Sequence, residues 1–194
     1  MIYIDENIWD FDLQEALDEV SPERREYALR YRQELDQRLC VAAYRLLQRA
    51  LQQEYGITEW PQLSYAPNGK PSLIRHAPGT IHISLSHCDK AVACVVSASP
   101  VGIDVETFDH YSEDVARSVM SENELHEILA SARPEVAFTR FWTMKESFYK
   151  LVGDEIDSHD IPHMLDKAET CRFTTIIHPE FAITCCTVNS MPKT

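Results

Sequence analysis

The stretch from Pro134 to Val152 restricts the fold of this chain more than any other. Its centre reads Phe141-Trp142-Thr143-Met144-Lys145-Glu146-Ser147-Phe148-Tyr149-Lys150. Projected as a helix, Ala137, Phe141, Met144, Phe148 and Leu151 form one apolar stripe. That stripe is an ordinary core face. Glu146 points to the opposite side, Trp142 and Tyr149 lie near it, Lys150 is one turn on, and Lys145 sits on the flank. A solvated face carries charges without large aromatics, so something else is expected to cover this one. The plain alternative is an amphipathic helix with a Glu146–Lys150 pair at i,i+4, worth about 0.2–0.5 kcal/mol.

The 194 residues suffice for one large domain or two small ones sharing an interface. A chain 44% hydrophobic and 25% charged reads as soluble and globular. No apolar run approaches the roughly 20 residues of a membrane helix, and Met1 to Glu6 lacks the positive region of a signal peptide. A cytoplasmic location is therefore expected. The cysteines, Cys40, Cys88, Cys94, Cys171, Cys185 and Cys186, contain no Cys-x-x-Cys pair and read as reduced, small hydrophobes.

The net charge of −13 argues against nucleic acid or an anionic membrane as a partner. The charge is uneven, however. Residues 1–20 hold seven acids and no Lys or Arg, whereas residues 21–50 hold seven arginines against four acids. A basic segment in an acidic chain suits a small anionic ligand, and it equally suits a helix laced with solvent ion pairs.

Ile2-Tyr3-Ile4 reads as a short strand and Phe11 to Val20 as a short acidic helix. Ser21-Pro22-Glu23 is a helix start. Tyr27, Tyr31, Leu35, Leu39, Ala43, Leu46 and Ala50 then recur every three or four residues until Gly56, which predicts one continuous helix with Arg24 in its first turn and Arg38 in its middle. Asn68-Gly69-Lys70-Pro71 is a turn. Ile81 to Leu85 alternates as a half-buried strand, Ser86-His87 stands at its end, and Ala91 to Ser97 returns as a second strand.

In Val101-Gly102-Ile103-Asp104-Val105-Glu106 the residues alternate between faces, so Asp104 and Glu106 share one face about 7 Å apart. Two like charges this close need solvent, a cation or a lysine between them. Residues 107–133 read as helical, with a capping box at Ser121 and Glu124. After the central helix come a loop or short turn, His159 to Lys167, and a closing hairpin of Arg172 to His178 and Phe181 to Val188.

If the central helix crosses the strand end, Asp104, Glu106 and Glu146 meet. Such carboxylates suit Mg²⁺, which keeps waters and is completed by substrate phosphates. Arg24, Arg38, Lys70, Lys145 and Lys150 would supply positive charge, with Ser86 and His87 as hydrogen-bond partners. There is no Gly-rich phosphate loop and no Gly-x-Ser-x-Gly. The residues alone thus point to a Mg²⁺-dependent enzyme acting on a phosphate or pyrophosphate.

The paired motifs around Asp104 and Glu146, with Ser21 to Arg25, Asn68 to Pro71 and Ile83 to His87 in the same order, resemble the 4′-phosphopantetheinyl transferases. The likeness is to the larger single-chain, surfactin-synthetase-activating type and runs from about residue 21 to 153. It implies an α+β fold of two similar lobes in one chain, residues 1–100 and 101–194, with pseudo-twofold symmetry, each a small antiparallel sheet on a long helix. It implies coenzyme A as donor, an apo acyl or peptidyl carrier protein as acceptor, and release of 3′,5′-ADP.

By the same resemblance Asp104, Glu106 and Glu146 are Mg²⁺ ligands. Arg24, Arg38, Lys70, Ser86, His87, Lys145 and Lys150 hold the donor, and Glu146, Asp104 and Lys150 are catalytic. Tyr27 replaces a second basic residue often found three after Arg24, and Gly153-Asp154-Glu155 keeps only one of two glycines. A monomer is expected. The competing expectations are a non-catalytic protein that binds carrier or coenzyme A, and an unrelated Mg²⁺-dependent phosphoesterase.

Overall fold

Two helices much longer than the others frame the molecule. The computed structural model describes residues 1–67, 69–74, 81–153 and 158–189. Strand β1 (Ile2–Asp5) leads into helices α1 (Leu13–Glu19), α2 (Pro22–Ala28) and α3 (Glu34–Tyr55), then a small hairpin of β2 (Leu63–Tyr65) and β3 (Pro71–Leu73), then β4 (His82–His87) and β5 (Val92–Ser97). Strand β6 (Val101–Thr107) follows, with a 3₁₀ turn Phe108–His110, helices α4 (Glu113–Val119), α5 (Glu122–Ala130) and α6 (Pro134–Val152), a 3₁₀ segment Ser158–Lys167, and strands β7 (Cys171–Ile177) and β8 (Phe181–Val188). The fold is α+β.

Two antiparallel sheets have orders β1-β5-β4 and β6-β8-β7. In each, the first strand of the set pairs with the last. Alternation decides what each face meets. Val92, Cys94 and Val96 join Leu39, Ala43, Leu46 and Leu47 in one core under α3. Their neighbours Ala93 and Val95 pack with Val101, Ile103, Val105, Phe181, Ile183 and Cys185, so the two sheets share a second core. The remaining face of β6 and β8, with Gly102, Asp104, Glu106, Thr184 and Cys186, is left for α6.

Gly102 is what lets α6 sit so close. A methyl group there would lie 1.9 Å from the Ser147 carbonyl oxygen and 2.7 Å from the Leu151 nitrogen. The free edge of β6 is also covered: the Ile103 N–H donates to the Ser84 hydroxyl at 3.0 Å, which satisfies a backbone donor that strand pairing leaves over.

The single helix expected from Ser21 to Gly56 is two. Ser21 caps α2 and Pro22 is its first residue as read, but α2 ends at Leu29 and α3 restarts after Gln33, whose backbone is extended. No glycine or proline marks the break, so apolar periodicity runs straight through it. Folding α2 back on α3 buries Ala28 among Leu17, Val20, Val41 and Tyr44, and that burial outweighs local helix propensity. The end at Gly56 holds, with the left-handed φ of 68° that a side chain resists. Arg38 consequently lies in the second turn of α3 rather than in mid-helix.

The central helix has the predicted limits, but its burial is wider than one stripe. Phe138, Thr139, Thr143, Lys145 and Ser147 are buried as well, because α5, the 158–167 segment and β8 enclose it. The capping box at Ser121 and Glu124 is present. All six cysteines are free, and all but Cys171 are buried. Asn68, Asp154, Glu155 and residues 190–194 lie outside the described residues.

Candidate active site where α6 crosses β6

The crossing at Gly102 puts Glu146 and Lys150, one helical turn apart, over the strand that carries Asp104 and Glu106. Asp104 is only 2% exposed. Its Oδ1 accepts from the Lys150 ammonium at 2.7 Å and from the Ser86 hydroxyl at 2.8 Å, and Lys150 also donates to Ser86 at 2.9 Å. Three groups from β4, β6 and α6 thus form a closed triangle. The other oxygen, Asp104 Oδ2, is buried with no hydrogen-bond partner.

Glu106 is pushed up to about 7, first by burial and then by the charges of Asp104 and Glu146, against the pull of Lys150 and a hydrogen bond from the Trp142 indole. Glu146 is also raised, by burial first and Asp104 second, with Lys150 opposing. Glu106 and Glu146, both raised beside the Asp104 charge with Lys150 opposing, mark a site short of positive charge.

A cleft of about 250 Å³ opens beside this cluster, lined by Gly69, Lys70, Pro71, Ser84, Leu85, Glu146, Tyr149 and Lys150. Lys70 reaches in from the β2–β3 turn and donates to the Leu151 carbonyl at 3.1 Å; burial lowers its pKa. His87, at the end of β4, is solvent-accessible, yet crowding and the Lys150 charge hold its pKa below the usual value against Asp36 and Asp104. A second cleft flanks Glu106 on the side of His110, Val115, Phe138 and Trp142.

Residues 100–189 match the model of the ACPS family, the 4′-phosphopantetheinyl transferase superfamily. The 4′-phosphopantetheinyl transferase Sfp of Bacillus subtilis (strain 168) is 28% identical over 155 residues, covering 78% of this chain and 68% of its own length. The transferase psf-1 of Bacillus pumilus is 33% identical over 140 residues, 71% of this chain and 59% of its own. That of gsp from Aneurinibacillus migulanus is 30% identical over 125 residues, 57% and 53% respectively. The likeness to the 4′-phosphopantetheinyl transferase superfamily is carried by residues 100–189, and these relatives extend it over more of the chain. The chain spans between about half and two thirds of the length of these relatives.

The predicted residues separate into two groups. Asp104, Glu106, Glu146, Lys150, Ser86, Lys70 and His87 gather around the crossing. Three basic residues stand elsewhere. Arg24 is 8% exposed, donates to the Cys40 sulfur at 3.2 Å, and lies 4.6 Å above the Tyr44 ring. It borders a cleft of about 470 Å³ with Glu23, Tyr27, Tyr65, Leu63 and Ile74, larger than the one at Glu146 but away from Asp104, Glu106 and Glu146.

Arg38 lies away from the crossing. It donates to Glu34 and to the Phe11 carbonyl, both at 2.8 Å, and lies over the Trp9 ring, so it ties α3 to the segment before α1. The break before α3 turns it that way. Lys145 also faces away from the cleft at Glu146. Its ammonium is buried against Glu124 at 2.8 Å and donates to the Ile161 and Pro162 carbonyls. The 100° step of the helix takes it off the face that Glu146 occupies.

Two contributors were missed as site residues. Trp142 lines the cleft beside Glu106, and its place on the Glu146 face of the projected helix was the available signal. Ser84 secures the edge of β6, and strand alternation already puts it on the Ser86 face. A magnesium ion fits the donor set, because Asp104 Oδ2 is unpartnered and the neighbouring acids carry raised pKa values. Among the described residues no three acidic or imidazole groups already converge on one point; the Lys150 ammonium rests on Asp104 instead.

Proposed function

We propose that this chain transfers the 4′-phosphopantetheine arm of coenzyme A to a serine hydroxyl of an apo acyl or peptidyl carrier protein, releasing 3′,5′-ADP. The observation that carries the reading is the buried Asp104 between Lys150 and Ser86, with Glu106 and Glu146 beside it. An anionic diphosphate entering there would draw Lys150 off Asp104, with Lys70 at the other wall of the cleft. The exposed Asp104 charge, with Glu106 and Glu146, would hold Mg²⁺. Bound there, the ion would offset charge on the diphosphate.

Glu146 takes the serine proton, its carboxyl raised above the usual carboxylate value by burial and by the Asp104 charge. The serine oxygen forms a bond to the β-phosphorus, the bond from that phosphorus to the bridging oxygen breaks, and the electron pair leaves with 3′,5′-ADP. Lys150 and Lys70 favour the charge that builds on the leaving group. Arg24, at the aromatic cleft, suits the nucleotide end of the donor.

The repeated strand order, each sheet with one long helix, supports two lobes in one chain, residues 1–100 and 101–194, with pseudo-twofold symmetry. No described helix is long and apolar enough to cross a membrane, and a monomer acting in the cytoplasm fits the reading. Incubation with coenzyme A, Mg²⁺ and a panel of apo carriers tests it. A mass gain of one phosphopantetheine on a carrier is expected. Carrier binding without mass gain, unaffected by Glu146→Ala, would instead establish a non-catalytic binder.

A further inference from the structure

We propose that Lys145 is a positioning residue: its buried ammonium fixes the rotation of α6, and with it the place of Glu146. This inference rests on the transfer reading above. The Lys145 side chain is 1% exposed and its partner Glu124 10%. An ammonium has three N–H donors and no acceptor. Here they meet Glu124 Oε2 at 2.8 Å, the Ile161 carbonyl at 2.9 Å and the Pro162 carbonyl at 3.0 Å, so no donor is left for a phosphate. Glu124 Oε2 also accepts the Ser121 N–H at 2.8 Å, as part of the cap that starts α5.

One charged atom therefore joins α6 to the first turn of α5 and to the 158–167 segment. The arrangement is stiff for an energetic reason. A buried charge is tolerated only when paired and hydrogen-bonded, and moving it away strands both partners. Two contacts then locate the helix. The Ser147 carbonyl against Gly102 sets how closely α6 approaches β6, and Lys145 sets how it is turned. The second matters directly, because Glu146 is the next residue. A rotation of about 20° moves a side-chain tip, about 5–6 Å from the helix axis, by about 2 Å. Displacements of about 1 Å already cost a reaction roughly 10²-fold.

The test compares Lys145→Met, Lys145→Arg and the swap Glu124→Lys with Lys145→Glu. Three quantities are read: calorimetric Kd for coenzyme A with Mg²⁺, kcat toward an apo carrier, and hydrogen exchange across residues 160–167. Lys145→Met is expected to leave Kd within about threefold, lower kcat about 10²-fold and speed exchange in the segment. The swap and Lys145→Arg should recover about tenfold or more of the lost kcat. A Kd weakened about tenfold or more with unchanged exchange would make the ammonium a phosphate ligand and overturn the proposal. Unchanged kcat would overturn it too.

If Lys145→Met does not fold, Glu124→Gln keeps the shape and removes the charge, and the same outcomes apply. If the parent protein modifies no carrier, the transfer reading falls, and the pin is judged on exchange alone: a segment freed by either substitution upholds it, and one that stays protected refutes it.

Discussion

Gly102→Ala puts one methyl group where α6 touches β6. The added carbon would lie 1.9 Å from the Ser147 oxygen, 2.7 Å from the Leu151 nitrogen and 3.0 Å from the Ser147 carbonyl carbon, all backbone atoms. No rotamer change relieves that, so the helix must move by about 1.5 Å to restore van der Waals separation. Overpacking costs about 1–3 kcal/mol, with the upper end expected when backbone has to shift. The stiffer unfolded chain of the variant returns about 0.4–1 kcal/mol. A net loss of about 2–3 kcal/mol lowers Tm by about 5–10 °C in a chain of this size.

The same shift carries Glu146 and Lys150 away from Asp104, and the 2.7 Å contact from Lys150 is lost. Transfer should fall about 10²-fold. Thermal unfolding followed by circular dichroism reads the first effect, and carrier mass gain over time reads the second. Gly56→Ala is the control: its φ of +68° strains a side chain, but nothing lies within 4 Å. It should cost about 1 kcal/mol and leave transfer intact. Gly102→Ala melting within about 2 °C of the parent with full activity would refute the close crossing.

Four further outcomes follow from the acidic cluster. The Glu106 pKa of about 7 in the fold stands above its ordinary 4.5, so the folded state holds a proton that the unfolded chain releases. Without divalent cation, stability should therefore be full below about pH 4.5 and decline toward pH 7, by roughly a few kcal/mol at most. Added Mg²⁺ should raise Tm more at pH 8 than at pH 5, measured by scanning calorimetry; equal shifts would remove the acids from the ion. Lys150→Met leaves Asp104 buried without its cation, so a loss of about 3 kcal/mol in metal-free buffer is expected, partly restored by Mg²⁺, with transfer reduced at least about 10²-fold; urea unfolding and the carrier assay check both. Trp142→Phe removes an indole N–H that favours the ionised form of Glu106 and should push that carboxyl higher, visible as an alkaline shift in the metal-free pH–stability curve; an unmoved curve counts against that influence.

Much of this molecule is written in local pattern. Alternation in Val101 to Glu106 places both acids on one face, and the helix from Pro134 to Val152 has the expected ends. Ser21, Ser121 and Gly56 mark helix termini by chemistry that acts within a few residues. Period and capping are short-range, so a one-dimensional reading captures them. The partners of long charged side chains are not short-range. Lys145 and Lys150 differ by five positions on one helix, yet one is sealed against Glu124 and two carbonyls and the other rests on Asp104 in an open cleft.

Arg38 shows the same division: the sequence supplies an arginine of the right kind, and the break before α3 sends it to Glu34 and the Phe11 carbonyl. Which residue types are present, and the face each one takes on its own element, is determined along the chain. Which charges meet is decided only when α6 settles on Gly102 and the sheets close on each other, because a buried charge goes wherever the fold leaves oxygens to receive it.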